Sequence, residues 1–338
     1  MLVVTVLLSS FAFYAYQMLF SSNFLVDEDK KVLIVDRGMS FKALQDRLYD
    51  EGYVNDLVSF SFLARLMGYD KRVKPGHYLI KPNMTNLEVV RLLRSGQQAP
   101  VKITFNNVRL MDDLGERITK NLLINEAEFD SALTAFIAEN DEFNEHNIIS
   151  MFVPNTYNVY FDITGRQLVD RMYSEFDKFW NDERLAKAKA LGLSRTEVVT
   201  LASIVNAESV KREESPIIAG LYINRLQQSI PLQADPTLVF ASGDFSLKRV
   251  LNVHKEIESP YNTYKHTGLP PGPINMPPIS VIDAVLNYED HNYIYMCAKE
   301  DFSGYHYFAE TLREHINNAN KYQRQLTIEQ RKAREQGN

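Results

Sequence analysis

A single cysteine, Cys297, excludes an intrachain disulfide framework and any cysteine-based zinc cluster. It lies in an apolar-aromatic run and reads as a strand residue, not a nucleophile. The seven histidines contain no His-Glu-x-x-His spacing, so no metal or other cofactor is expected. Gly-x-Ser-x-Gly, Ser-x-x-Lys and a glycine-rich phosphate loop are also missing, which leaves serine acyl-enzymes and P-loop nucleotide enzymes without their signatures. A basic surplus is missing too. The 37 lysines and arginines are outnumbered by 43 aspartates and glutamates, a net −6, against the footprint of a nucleic-acid binder. What is present is ordinary globular composition, 45% hydrophobic and 24% charged, over 338 residues, enough for about two domains. The 11% of aromatic residues suits a core, and equally a carbohydrate cleft in which flat rings stack on sugar faces.

Charge is also absent from residues 1–20, MLVVTVLLSSFAFYAYQMLF. Twenty helical residues span roughly 30 Å, one bilayer core. A cleavable signal peptide would have a shorter apolar region closed by small residues. Here Tyr14, Tyr16 and Phe20 close it like an interfacial aromatic belt. The reading is an uncleaved single-pass anchor over 1–22. No lysine or arginine precedes the span, so charge does not orient it. The acidic Asp27-Glu28-Asp29 and the scarcity of cysteine favour an extracytoplasmic, periplasmic body on the inner membrane.

Along 30–100, a strand (31–36), two helices (from Ser40 to Gly52 and about 56–67), a second strand at Tyr78-Leu79-Ile80 and a helix opened by the Thr85-x-x-Glu88 capping box make a compact unit. Its size and order fit a LysM-like glycan-binding module or a plain spacer. Residues 101–193 form a connecting region with a strand at 101–105, helices near 110–121 and 126–139, and one long amphipathic helix over 167–191. From 194 to 338 the chain changes character. Prolines and glycines concentrate in 231–278, read as the longest irregular stretch, and a loop that long is usually functional. Strands at 293–298 and 305–308 and a polar terminal helix follow. The expected class is therefore α+β: a transmembrane helix, a small LysM-like domain, and a mixed α/β catalytic domain that carries its acid on a helix.

That acid is Glu208. Ser194-x-x-Glu197 is a second capping box, and Val198, Leu201, Ala202, Ile204 and Val205 mark a buried stripe at helical spacing. Glu208 continues the stripe. Burial disfavours the ionised carboxyl and raises its pKa, which suits an acid that must protonate a departing glycosidic oxygen. The competing reading is a helix-end glutamate paired with Lys211 or Arg212. Tyr261-Asn262-Thr263-Tyr264 and the rigid 267–274 segment, with Gly268, Leu269, Pro270 and Gly272, offer rings and backbone amides for a sugar-binding wall. Asn224 and Arg225 close a helix, and Gln233, Asp235 and Thr237 lie in a short polar turn.

At these motifs the chain resembles the endolytic murein transglycosylases, the YceG-like membrane-bound lytic transglycosylases of bacteria. LASIVNAES (201–209), INRL (223–226), LQADPT (232–237), YNTY (261–264), TGLPPGPI (267–274) and HYF (306–308, with His306 and Phe308) occur in the family's order. The resemblance implies that Glu208 is acid and then base. It would protonate the β-1,4 oxygen between MurNAc and GlcNAc and then take the proton of the MurNAc C6 hydroxyl as that oxygen closes on C1. The product is a 1,6-anhydro end. The implied substrate is nascent peptidoglycan glycan, whose strand length is thereby limited. The implied partners are penicillin-binding proteins and other glycan polymerases of elongation and division. Two departures stand out. Asn206 replaces a glutamate common in the family, and Asn155 replaces an aspartate in the segment Met151-Phe152-Val153-Pro154-Asn155-Thr156-Tyr157. Two alternatives remain open: a hydrolytic muramidase with Glu208 as acid and Asp235 as base or nucleophile, and a wall-binding tether without catalysis.

Overall fold

The computed structural model describes residues 2–26, 29–247 and 249–336. Asp27 and Glu28 of the expected acidic exit lie outside the described residues. The fold is mixed α/β and divides into two compact units. The first comprises residues up to Ile103 together with Glu116–Asp130 and Thr156–Leu168; the second holds the rest. Segment 101–193 thus contributes to both.

The first unit opens with α1 (Leu2–Phe20), none of whose residues is buried and which is long and apolar enough to cross a membrane. Next come β1 (Ser22–Phe24), β2 (Lys31–Val35), α2 (Phe41–Asp50), α3 (Leu57–Leu66), β3 (Gly76–Ile80), β4 (Met84–Thr85) and α4 (Asn86–Ser95). Strands β2 and β3 pair antiparallel, Lys31 opposite Ile80 and Val35 opposite Gly76. Local chemistry sets the helix limits. Ser40 and Asp56 accept from first-turn amides of α2 and α3, Thr85 and Glu88 form the expected capping box, and Gly96 ends α4 in the left-handed region at φ 76°. Leu33, Val35, Leu44, Leu48, Phe60, Tyr78, Val89 and Leu93 close the core between helices and hairpin.

Then follow β5 (Val101–Phe105), which pairs with β6 (Asn155–Val159), and between them α5 (Met111–Thr119) and α6 (Glu126–Ala138). The single helix expected over 167–191 is two: α7 (Gly165–Phe179) and α8 (Asp182–Leu191). The break has a cause in the sequence. Asn181 is extended and its side chain accepts from the Arg184 amide, so it starts a new helix whose first turn holds Asp182 and Glu183. Arg184 then forks onto Asp283 at 2.8 and 3.1 Å.

Helix α9 (Arg195–Glu208) starts at the Ser194–Glu197 box and is the centre of the second unit. Every residue from Val198 to Val205 is buried, so the expected stripe is in fact a helix covered all round. Small residues permit this: Thr200 and Ser203 return their hydroxyls to carbonyls one turn back at 2.8 and 2.7 Å. Around it lie α8, α10 (Ser215–Gln227), α11 (Asp235–Ser242) and α12 (Ile279–Leu286). Stretch 231–278 is less irregular than its composition suggests, because it contains α11 and a 3-10 turn, Asn252–Glu256. Pro236 stands in the first turn of α11, where a missing N–H is harmless and a fixed φ favours the helix. The hairpin of β7 (Tyr295–Ala298) and β8 (His306–Ala309) and the polar α13 (Leu312–Gln336) complete the chain.

Candidate active site

Glu208 is the last residue of α9, and its acidity follows from that position. Packing strips the carboxyl of hydration, which pushes its pKa up to about 7 from 4.5. The Tyr222 hydroxyl, which donates to Oε1 at 2.5 Å, pulls the other way by stabilising the anion. Asp235 raises the value further and Arg225 lowers it. The negative end of a fourteen-residue helix also disfavours an anion here. Pairing with Lys211 or Arg212 does not occur among the described residues. Lys211 instead stands over the Tyr305 ring.

Two cavities meet at this carboxyl. One, of about 400 Å³, is walled by Tyr222, Arg225, Gln233, Tyr264, Tyr295, Met296 and His315. The other, of about 450 Å³, is walled by Arg109, Phe240, Phe245, Arg249 and Asn275. Glu208 and Asp235 line both. Asp235, expected in a turn, is the first residue of α11, and its Oδ1 accepts from the Tyr264 hydroxyl at 2.5 Å. That contact exists because two motifs are laced together. The Ala234 amide donates to Thr263 Oγ1 at 3.0 Å, and the Thr237 and Thr263 hydroxyls are 2.8 Å apart.

Of the residues singled out in the sequence, Glu208, Arg225, Gln233, Asp235 and Tyr264 therefore share one groove. The others stand apart from both cavities. Asn224 donates to the carbonyls of His291 and Tyr293 at 2.6 and 3.1 Å, joining α10 to the approach to β7. Thr237 is fully buried in the lacing just described. Tyr261 packs on Phe240, with ring centroids 4.7 Å apart. Gly268, at φ 85°, makes a left-handed turn with Leu269 and Pro270 beyond it. Gly272 is needed for close approach, since a Cβ there would fall 1.9 Å from the His146 carbonyl oxygen. His306 binds the buried Glu214 at 2.9 Å, Glu214 also accepts from Ser209 beside the catalytic candidate, and Phe308 stacks on Tyr293. Asn262 is a scaffold residue: fully buried, it donates to the carbonyls of Lys255 and Ile257 at 2.9 and 2.8 Å and accepts from the Tyr264 amide. Asn262→Ala should cost about 2 kcal/mol in urea unfolding, because two half-buried carbonyls lose their donor. Unchanged stability would return Asn262 to a role in ligand contact.

Tyr222 is absent from the sequence reading although it was within reach of it. It lies three residues before Arg225, hence on the same helix face. Arg109, whose guanidinium covers the Phe245 ring at 4.4 Å, gives no such local signal.

The chain resembles known proteins in sequence and in fold. The sequence model of the YceG-like family matches residues 33–321. The chain belongs to the YceG-like family. Two curated endolytic murein transglycosylases resemble this YceG-like chain: one from Streptococcus pneumoniae serotype 2, 25% identical over 351 residues, and one from Bacillus subtilis strain 168, 26% identical over 316. The matches cover 94% and 88% of this chain; it spans 63% of the length of the pneumococcal relative and 87% of the Bacillus one. The crystal structure of a YceG-like protein of Listeria monocytogenes superposes with a TM-score of 0.55 at 25% identity, covering 86% of this chain and 98% of that one. In this YceG-like chain Asn206, read in the sequence as a departure, donates to Asn275 Oδ1 at 2.8 Å, and Asn275 donates to the Ser203 carbonyl at 2.8 Å. Residue 206 thus fastens α9 to the groove wall with neutral groups. Asn155, the other, is exposed at the start of β6.

Proposed function

We propose that this chain is a membrane-anchored lytic transglycosylase that cuts peptidoglycan glycan strands internally. The observation that carries the reading is the desolvated Glu208 carboxyl, its pKa raised to about 7, where two cavities meet. An acid shared by two cavities suits a polymer that continues beyond the scissile bond in both directions. Glu208 donates its proton to the β-1,4 oxygen as the C1–O bond breaks. The C6 hydroxyl of the same MurNAc bonds to C1, and its proton passes to the Glu208 carboxylate. One C–O bond forms, one breaks, the proton is returned, and no water is consumed. One group acting first as acid and then as base suffices, and holding the C6 hydroxyl over C1 supplies rate through orientation. The names of the curated relatives support the same reaction class.

In this reading α1 is a single-pass anchor, the body is extracytoplasmic, the β2–α2–α3–β3 unit is a LysM-like glycan binder, and the glycan polymerases are the neighbours whose product is cut. Arg109 and Arg249, neither in an ion pair among the described residues, face one arm and suit the carboxylates of MurNAc and its peptide stem.

The position of Asp235 beside Glu208 favours one competing mechanism, hydrolysis with Asp235 as base or nucleophile. Mass spectrometry of digested glycan separates the two. A transglycosylase yields 1,6-anhydroMurNAc ends, and Asp235→Asn keeps a substantial part of the activity, because the substrate supplies the nucleophile. Reducing MurNAc ends, or an Asp235→Asn variant as inert as Glu208→Gln, would establish the muramidase. A wild type that cuts no glycan would leave the tether.

A further inference from the structure

We infer that the exposed face of α3 rests on the lipid surface beside α1, and that the basic residues following it hold anionic headgroups. Going beyond the cleft chemistry, the inference rests on the reading of α1 as a membrane span. Helix α3 is the apolar helix LVSFSFLARL, yet it leaves Val58, Phe62 and Leu66 exposed at 76%, 57% and 69%. Spaced by four, these three make one unpartnered apolar face. Its position relative to α1 is fixed by one buried side chain. Asn86 donates both to the Met18 carbonyl, in the last turn of α1, and to Ser59 Oγ, each at 3.0 Å, and accepts from Asn23 Nδ2 at 2.7 Å. Leu19 packs into the core of the same unit. Val58 is therefore next to a residue that shares a hydrogen-bond hub with the carboxyl end of the apolar span. Where α1 leaves the hydrocarbon, the α3 face begins.

Charge points to the same occupant. Residues 30–100 hold twelve lysines and arginines against seven aspartates and glutamates, a net +5 within a chain of net −6. Lys71, Arg72 and Lys74 follow α3 directly, and Arg65 lies within it. Bulky apolar side chains flanked by cations are the composition of an element lying in an anionic bilayer interface. Docking there would hold the first unit flat against the membrane.

The test uses the full chain in nanodiscs of phosphatidylcholine with about a third phosphatidylglycerol, carrying an NBD fluorophore at Phe62→Cys in a Cys297→Ser background. Position 62 is exposed, so the probe can be attached without opening the core. The expected result is blue-shifted emission that loses roughly half its intensity to lipids spin-labelled near the headgroup. In Lys71→Gln/Arg72→Gln/Lys74→Gln, or in pure phosphatidylcholine, the quenching weakens. Solvent-like, unquenched emission from chain that stays in the disc would overturn the inference and leave the anchor standing. A blue shift without lipid quenching that grows with chains per disc would overturn it in favour of a second copy on this face. Failure of the chain to enter the disc would overturn the anchor reading, and this inference with it.

Discussion

Glu208→Gln is expected to lower glycan cleavage by about 10²–10⁴-fold or more, since one group serves as both acid and base. The amide keeps shape and can still accept from Tyr222, so binding of uncut strands should persist. In the wild type the donating form is the protonated one, held up to about pH 7 by loss of hydration. Activity should therefore fall along a limb centred near that value as pH rises. The same shift predicts a change in stability of definite sign. A carboxyl whose folded value lies above its ordinary 4.5 gives its full contribution below the ordinary value and loses it as pH rises through about 7. Glutamine has no proton to lose. The variant should thus exceed the wild type by less than about 1 kcal/mol near pH 5 and by roughly 3 kcal/mol near pH 8. Urea unfolding at both pH values measures the difference. An advantage that does not grow with pH would mean that the wild-type carboxyl is ionised at neutral pH, and Glu208 would then be the wrong acid.

The parts of this fold set by near neighbours in sequence were legible; the parts set by distant contacts were not. The capping boxes at Thr85–Glu88 and Ser194–Glu197 need four residues each, and both helices start where those residues say. The break at Asn181 was hidden because α7 is strongly amphipathic right up to it, although an asparagine before Asp182 and Glu183 is a helix-start signal. The desolvation expected of Glu208 is present, for a partly different reason. The expected stripe belongs to a helix whose residues 198–205 are buried on every face, and Glu208, its last residue, is desolvated. Proline and glycine in 231–278 signalled loop, yet Pro236 begins a helix. In the groove, the motif residues divide between chemistry and carpentry. Asp235 and Tyr264 meet beside Glu208 because the Thr237 and Thr263 hydroxyls bond each other and Asn262 ties down the backbone of Ile257 and Tyr264. A sequence marks such residues together and does not say which of them faces the ligand.

Arg225 was read as a substrate residue, and it should behave as a clasp. It lines the groove but is only 7% exposed. Its Nε donates to the Ile294 carbonyl at 2.7 Å, and Nη1 donates to the carbonyls of Pro231 and Leu232 at 3.0 and 2.7 Å. One guanidinium thus binds the end of α10 to the approach to β7 and to the loop that delivers Asp235. No carboxylate pairs with it among the described residues; carbonyl dipoles and the Tyr295 ring, 5.6 Å away, answer its charge. Arg225→Met keeps the bulk and leaves three buried or half-buried carbonyls without a donor, at about 1–3 kcal/mol each when none can reach water. A loss of roughly 3 kcal/mol or more in urea unfolding is expected. Arg225→Lys should recover only a part, because a compact ammonium cannot fork across three acceptors held in different directions. There is a second readout. The guanidinium charge holds the Glu208 value down, so its removal should move the limb of the activity profile to higher pH in whatever folds. If Arg225→Met is as stable as the wild type, keeps the limb in place and only raises KM, the residue binds substrate and the clasp is an accident of packing.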